Sequence, residues 1–91
     1  MDDDDGLLRR SVRDPAAFGT LVRRHQEGIH AYLARRAAHA APDLLGEVWV
    51  QAFGARATFD PRRGGARGWL FGVARNVLLQ HWRTERARPG R

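Results

Sequence analysis

The chain has 91 residues, a formal net charge of +6 and no cysteine. This length predicts one small domain with a modest core. The absence of cysteine excludes a disulfide framework and a thiolate metal site. Because no apolar run approaches the ~20 residues of a membrane span and the acidic start lacks a signal-peptide pattern, we expect a soluble, cytoplasmic protein.

The first part of the chain contains two predicted helices. Residues 1–6 form an acidic start that we expect to be disordered, and residues 7–13 are predicted to form a short helix. Asp14 followed by Pro15 is a typical helix start, with an N-cap residue and then a proline in the first turn. Apolar residues recur at helical spacing from there, so we predict a long helix to about Arg36. Its apolar face comprises Phe18, Leu21, Val22, His25, Ile29, Tyr32 and Leu33.

Two more long helices follow. Pro42 opens a helix to about Arg56 whose apolar residues come in pairs every four positions, a strong helical stripe. Residues 58–67 are rich in turn signals and predict a loop, and residues 66–86 predict the last helix. Residues 87–91 form a tail or the start of a linker. No stretch alternates with period two. We therefore predict an all-α fold over residues 7–86, a compact bundle of three long helices plus a short N-terminal helix.

The last predicted helix has an unusual outer face. Its apolar side comprises Leu70, Val73, Ala74, Val77, Leu78 and His81, and its other side comprises Gly68, Gly72, Arg75, Asn76, Leu79 and Arg83. Glycine within a helix costs about 1 kcal/mol relative to alanine, so two glycines require a reason. Either they let a ligand approach the helix backbone, with arginine suited to phosphate and asparagine to a base edge, or they permit close packing of another helix.

The distribution of charge favours a nucleic-acid ligand. All sixteen basic residues are arginine, and nine lie in residues 54–91 against only Asp60 and Glu85. Residues 1–53 hold seven arginines against eight acids. A basic half with interleaved aromatic residues is typical of a nucleic-acid surface. The loop at residues 59–67, with its arginines and glycines, either closes around a single strand beside the glycine face or is merely solvated.

Candidate catalytic residues are few. His25 and His30 do not share a helix face, and His81 lies on an apolar stripe, as core histidines do. Asp43 and Glu47 are one turn apart, but carboxylates near a helix N-terminus also stabilise the helix dipole. No nucleophile has a base at suitable spacing, and no phosphate-binding glycine motif is present. We predict no active site, no metal site and no cofactor, so the protein is not expected to be an enzyme.

Three segments, in order and with matching separations, resemble region 2 of bacterial sigma factors of the extracytoplasmic-function (ECF) type. They are DLLGEVW at residues 43–49, the basic loop, and WLFGVARN at residues 69–76 with a terminal HWR. FGTLVRRH at residues 18–25 is similar to the first helix of that family, and the resemblance covers about residues 8–88. It implies a helical bundle that binds the β′ clamp helices of RNA polymerase and captures the melted non-template strand of the −10 promoter element.

The resemblance also implies roles for individual residues. The residues on, or supporting, the polymerase-binding helix would be Asp43, Leu44, Glu47, Val48 and Gln51. The loop would cradle a flipped base, and the DNA-binding residues would be Arg62, Arg63, Arg67, Trp69, Arg75, Asn76 and Arg83. Pro42 and Gly46 stand where the family often has Glu and Gln. The family's second domain, which reads the −35 element, is absent from these 91 residues, so we expect a truncated chain or a protein that acts without that domain.

The function expected from this resemblance is transcription initiation, with promoter recognition and melting and docking on core polymerase. Two alternatives remain open. The domain either serves mainly as the partner of an anti-sigma factor or other regulator, or it is a general basic nucleic-acid binder that does not need polymerase. Binding of the domain alone to β′ distinguishes the main hypothesis from the first alternative. The second alternative is favoured if Asp43 and Glu47 prove irrelevant to function.

Overall fold

The structure, a computed structural model, describes residues 3–88. Its elements are α1 (Asp4–Arg10), α2 (Ala16–Arg36), α3 (Ala41–Ala55), two 3₁₀ turns (Arg56–Thr58 and Pro61–Arg63) and α4 (Ala66–Arg86). All regular elements within residues 3–88 are helical, so the prediction of three long helices and a short N-terminal helix is confirmed. Within that range, none of the helices combines the length and apolar character needed to span a membrane.

Local sequence explains where the long helices begin. The residue directly before α2 is Pro15, one position after the predicted N-cap residue Asp14. The Asp14 carboxylate nevertheless accepts a hydrogen bond from the Ala16 N–H, the first of the helix, at 3.2 Å. Pro42 lies in the first turn of α3, where its missing N–H leaves no helix hydrogen bond unmade. The helix α4 has the predicted bounds.

The N-terminal segment corrects two predictions. Helix α1 begins at Asp4, so residues 4–6, predicted to be disordered, are helical, and residues 11–13 form a turn instead of the predicted helix. The Asp3 side chain caps α1 by accepting the Gly6 N–H at 2.7 Å. Carboxylates in the first turn also stabilise the helix dipole, so the acidic run promotes this helix. Residues 1, 2 and 89–91, which belong to the predicted disordered start and tail, lie outside the described residues.

One apolar core joins the four helices. Its buried side chains are Leu7, Leu8, Ala17, Phe18, Leu21, Ile29, Leu33, Ala41, Leu44, Val48, Ala52, Ala66, Leu70, Ala74, Val77 and Leu78. The predicted apolar stripes of the three long helices supply most of these residues, because the apolar face of an amphipathic helix packs into the core and away from water. Helix α3 packs against both α2 and α4, and α1 packs across α2 and α4. The polar outer face of α4 is therefore left towards solvent.

Candidate functional site

A cavity of about 620 Å³ lies between the loop and the first turns of α4. Its lining residues are Thr58, Phe59, Asp60, Arg63, Gly64, Gly65, Gly68 and Trp69. Gly64 has a φ of 132°, a backbone conformation that L side chains rarely adopt, and glycine adopts it at little steric cost. The turn at Gly64 thus allows the loop to fold back and form one wall of the cavity.

Asp60 organises the loop. Its carboxylate accepts the Arg62 backbone N–H at 3.0 Å and two guanidinium N–H groups of the same residue, each at 3.0 Å. These side-chain and backbone hydrogen bonds lower the pKa of Asp60, and the same pairing raises the pKa of the Arg62 guanidinium. Of the loop arginines, Arg63 lines the cavity, whereas Arg62 is held by Asp60.

Aromatic rings form another part of the cavity wall. Phe59 and Trp69 meet edge to face, with ring centroids 6.0 Å apart and an interplanar angle of 68°. Both side chains are partly exposed, so each ring has surface available to a ligand. A cavity of this kind, with aromatic walls, a basic side chain and glycine backbone, suits an unstacked base, because base–aromatic stacking contributes about 1–3 kcal/mol per base.

The outer face of α4 continues from this cavity. A Cβ atom built on Gly68 or on Gly72 would have no neighbouring atom within 4 Å. The interpretation that these glycines allow close packing of another helix is therefore wrong within the described fold. Both glycines are exposed, and together with Asn76 they form an open face along the helix.

The predicted arginines extend this face. Arg75, Asn76 and Arg83 are exposed along α4, and from Gly68 to Arg83 the helix rises about 22 Å. That is the length of about six stacked nucleotides at about 3.4 Å each. The Arg67 guanidinium lies 4.9 Å from the centroid of the Phe71 ring. Most of the predicted DNA-binding residues thus lie at the cavity or along this face, which we call the α4 face.

The predicted polymerase-binding residues divide into two groups. Asp43 and Glu47 are exposed, and the Gln51 amide donates to the Glu47 carboxylate at 3.0 Å. Leu44 is 8% exposed and Val48 is completely buried. Val48 therefore supports α3 from the core and cannot contact a partner.

Glu47 and Gln51 border a groove between α3 and α4. Its other lining residues are Leu44, Val77, Gln80, His81 and Thr84. Among residues 3–88, no three or more His, Asp or Glu side chains group in a way that could hold a metal ion.

Two contacts at or next to the cavity are not evident from the sequence. Phe59 was predicted as one of the aromatic residues of the basic half and as part of the loop, but its contact with the Trp69 ring was not predicted. Asp5 was assigned to a disordered start, yet its carboxylate accepts the Ala66 N–H of α4 at 2.7 Å. A run of four aspartates has no pattern that would indicate a contact with the start of α4.

The Sigma-70 region 2 family matches residues 21–88 of the chain. The chain is also 31% identical over 83 residues to the ECF RNA polymerase sigma factor RpoE of Cereibacter sphaeroides. This match covers 85% of this chain and 44% of that protein. It is 42% identical over 50 residues to the ECF RNA polymerase sigma factor SigC of Mycobacterium tuberculosis and to the probable RNA polymerase sigma-C factor of Mycobacterium bovis. Those matches cover 55% of this chain and 26% of each relative.

The chain therefore spans less than half the length of the curated relatives it matches. No solved structure matches it significantly. The family match extends from α2 through the loop to the end of α4, and so includes the cavity and the α4 face. It confirms the resemblance read from the sequence: the chain belongs to the sigma-70 region 2 family, in the form typical of ECF sigma factors.

Proposed function

We propose that this domain acts in transcription initiation as a sigma factor, docking on core RNA polymerase and capturing the melted non-template strand of a −10 promoter element. The observation that carries the proposal is the open α4 face that leads out of the cavity. Such a surface can accept exposed bases, which a duplex does not present. The domain works in the cytoplasm, where the polymerase is, and catalyses no covalent chemistry.

Capture of one base at the cavity offsets part of the free-energy cost of opening the promoter. Unstacking and unpairing a base costs a few kcal/mol. A base that enters the cavity regains stacking against the rings of Phe59 and Trp69, worth about 1–3 kcal/mol, and Arg63 adds an attraction for phosphate. Trapping the base therefore shifts the equilibrium from duplex towards the open bubble.

The remaining strand lies along α4 in this proposal. Asn76 offers an amide that can pair with a base edge, and Arg75 and Arg83 offer guanidinium groups to the phosphates on either side. The guanidinium of Arg67 lies over the Phe71 ring and does not line the cavity, so Arg67 offers positive charge to the strand from outside the cavity. Between Gly68 and Arg83, α4 is about 22 Å long, which is enough for about six stacked nucleotides of the strand.

Docking on polymerase uses the exposed acids of α3. Asp43 and Glu47 project from the surface while Leu44 and Val48 hold the helix to the core. Carboxylates presented on a rigid helix suit a basic partner surface such as that of the β′ clamp helices, because complementary charge raises the rate of association and excludes wrong partners.

A specific observation also supports a protein regulator as partner. Trp82 is 39% exposed beside a groove formed by the α2–α3 connection, the start of α3 and the end of α4. Exposed aromatic residues are frequent anchors of protein interfaces. An anti-sigma factor held at this groove would compete with polymerase for Asp43, which also lines it. Binding of the isolated domain to a β′ clamp fragment would favour the polymerase role over a purely regulatory one.

The test is a comparison of single-stranded and double-stranded DNA by fluorescence anisotropy. The probes are a labelled strand containing a −10-type sequence and the same strand annealed to its complement. We expect tighter binding to the single strand, because its bases are exposed. This preference should persist as the salt concentration is raised. Equal affinity for the two forms, with a steep dependence on salt as the only feature, would contradict base capture and favour a general basic nucleic-acid binder.

A further inference from the structure

Three consecutive aspartates at the N-terminus bind three different helices. Asp3 caps α1. Asp4 contacts α2, with the Arg24 guanidinium donating to its carboxylate at 3.1 Å and the His25 Nε2 at 2.7 Å from it. Partial burial raises the pKa of Asp4, but the hydrogen bonds from Arg24 and His25 outweigh it, so the pKa lies below its ordinary value. Asp5 contacts α4. The acidic run is therefore a structural clasp between α1 and the two long helices α2 and α4.

The contact of Asp5 replaces a cap that α4 lacks in its own sequence. The residue before α4 is Gly65, which has no side chain to cap the first turn. The Asp5 carboxylate accepts the Ala66 N–H at 2.7 Å, across 61 positions of sequence. An unpaired backbone N–H in the first turn of a helix is a cost that a capping oxygen removes. Ala66 is almost completely buried, at 1% exposure, so water has little access to that group.

The same turn forms part of the cavity. Gly64 and Gly65 precede Ala66, Gly68 and Trp69 follow it, and all four of these neighbours line the cavity. Two adjacent glycines leave the backbone before α4 with much conformational freedom. A side-chain hydrogen bond at Ala66 is therefore well placed to hold the loop and the helix at one separation.

We infer that Asp5 is a positioning residue for the base cavity: by capping α4 from the N-terminal segment, it fixes the start of that helix against the loop. This inference rests on the proposed function, since it assigns to Asp5 an effect on base capture. Asp5 acts through the backbone of α4 and does not itself line the cavity.

The charge of Asp5 makes the inference testable, because electrostatics and positioning predict opposite results. Removal of a carboxylate raises the net positive charge and by itself strengthens binding of any polyanion. Loss of the cap instead weakens only the part of the affinity that depends on a base in the cavity. Asp14 provides the control, since it also carries one negative charge and its carboxylate also accepts a backbone N–H, that of Ala16 at 3.2 Å, but this hydrogen bond lies at the start of α2 instead of the start of α4.

The experiment compares Asp5→Ala, Asp5→Asn and Asp14→Ala in the 91-residue chain. The probes are single strands of about 10 nucleotides, a length within the usual range of single-strand sites, one bearing bases and one an abasic strand of equal length. The ratio of the two affinities measures base capture. We expect Asp5→Ala to lower this ratio roughly three- to tenfold, as loss of a cap would. Asp5→Asn should restore it, because asparagine also accepts the N–H, and Asp14→Ala should leave it unchanged.

A second measurement reads the start of α4 without DNA. Amide hydrogen exchange followed by NMR should be faster at Ala66 in Asp5→Ala than in the unmodified chain, and nearly normal in Asp5→Asn. Equal ratios for Asp5→Ala and Asp14→Ala, or unchanged exchange at Ala66, would overturn the role of Asp5. If the unmodified chain itself shows no preference for the base-bearing strand, the proposed base capture fails instead, and the exchange at Ala66 alone decides whether Asp5 fixes the helix.

Discussion

Replacing Gly72 by alanine should stabilise the fold and weaken the binding of single-stranded DNA. Gly72 lies in the interior of α4, and a Cβ atom there would meet no other atom within 4 Å. The substitution therefore removes the helix penalty of glycine without creating a clash, a gain of about 1 kcal/mol in the free energy of unfolding. For a domain of this size that gain raises the Tm by about 4–8 °C.

Binding should change in the opposite direction, because the added side chain occupies the surface that a strand must approach. Gly72→Gln extends the series, since glutamine is nearly as good a helix former as alanine but covers more of the α4 face. If the bulkier side chain displaces one stacked base, the loss is about 1–3 kcal/mol of binding free energy. Gly46→Ala is the matched control. Gly46 is likewise exposed within α3, and a Cβ atom there would also meet nothing within 4 Å, so it should give a similar stabilisation and leave DNA binding unchanged.

The measurements are thermal unfolding by circular dichroism and fluorescence anisotropy with single-stranded DNA. Two results would refute the reasoning. A lower Tm for Gly72→Ala would mean that another part of the chain packs against the α4 face. Equal DNA affinity for Gly72→Gln and Gly46→Ala would mean that the strand does not lie along this face.

Three further predictions concern other residues of the domain. Asn76→Ala should reduce discrimination between promoter strands by about 1–3 kcal/mol, whereas Arg83→Ala should lower the affinity for all strands by a similar factor. Both effects are measured by fluorescence anisotropy, and an unchanged sequence preference in Asn76→Ala would argue against a base contact. Reversing Asp43 and Glu47 together to arginine should abolish binding to a β′ clamp fragment in a pull-down while circular dichroism stays helical, because both residues are exposed; retained binding would exclude the polymerase role of α3. Because its native pKa is lowered, Asp4 stabilises the fold fully above its unfolded pKa and less as the pH falls through the native value, so acid titration of Asp4→Asn should show a smaller loss of stability below about pH 4.

Most of the fold was predictable because it depends on local sequence. The bounds of α4 follow from the glycine turn before it and the apolar stripe within it, and Leu70, Ala74 and Val77 are buried as that stripe predicts. The start of α2 follows from Asp14 and Pro15, since the Asp14 carboxylate accepts the first N–H of the helix. The family, too, was recognisable from short segments at fixed separations, and the family match confirms it.

The candidate site was predictable only in part. The basic loop and the residues of the α4 face were identified from composition and helical spacing, and their roles in DNA binding stay predictions. Sequence could not tell that Arg62 is paired with Asp60, because its five donors can turn either to a neighbouring carboxylate or to a ligand. The helical spacing of α3 does place Val48 among its apolar residues and the two acids off them, and in the structure Val48 is buried while Asp43 and Glu47 are exposed.

The sequence by itself determined the helices, their inner and outer faces and the family, because helix formation and amphipathic spacing are set by residues within a few positions of one another. Tertiary structure alone decided what faces the outer side of α4. A glycine pattern is the same whether a neighbouring helix or solvent lies opposite, and only the packing of α1, α2 and α3 elsewhere leaves Gly68 and Gly72 open. The tertiary structure likewise decided the contact of Asp5 with Ala66, which lies 61 positions away. Such a contact depends on how the whole core brings distant segments together.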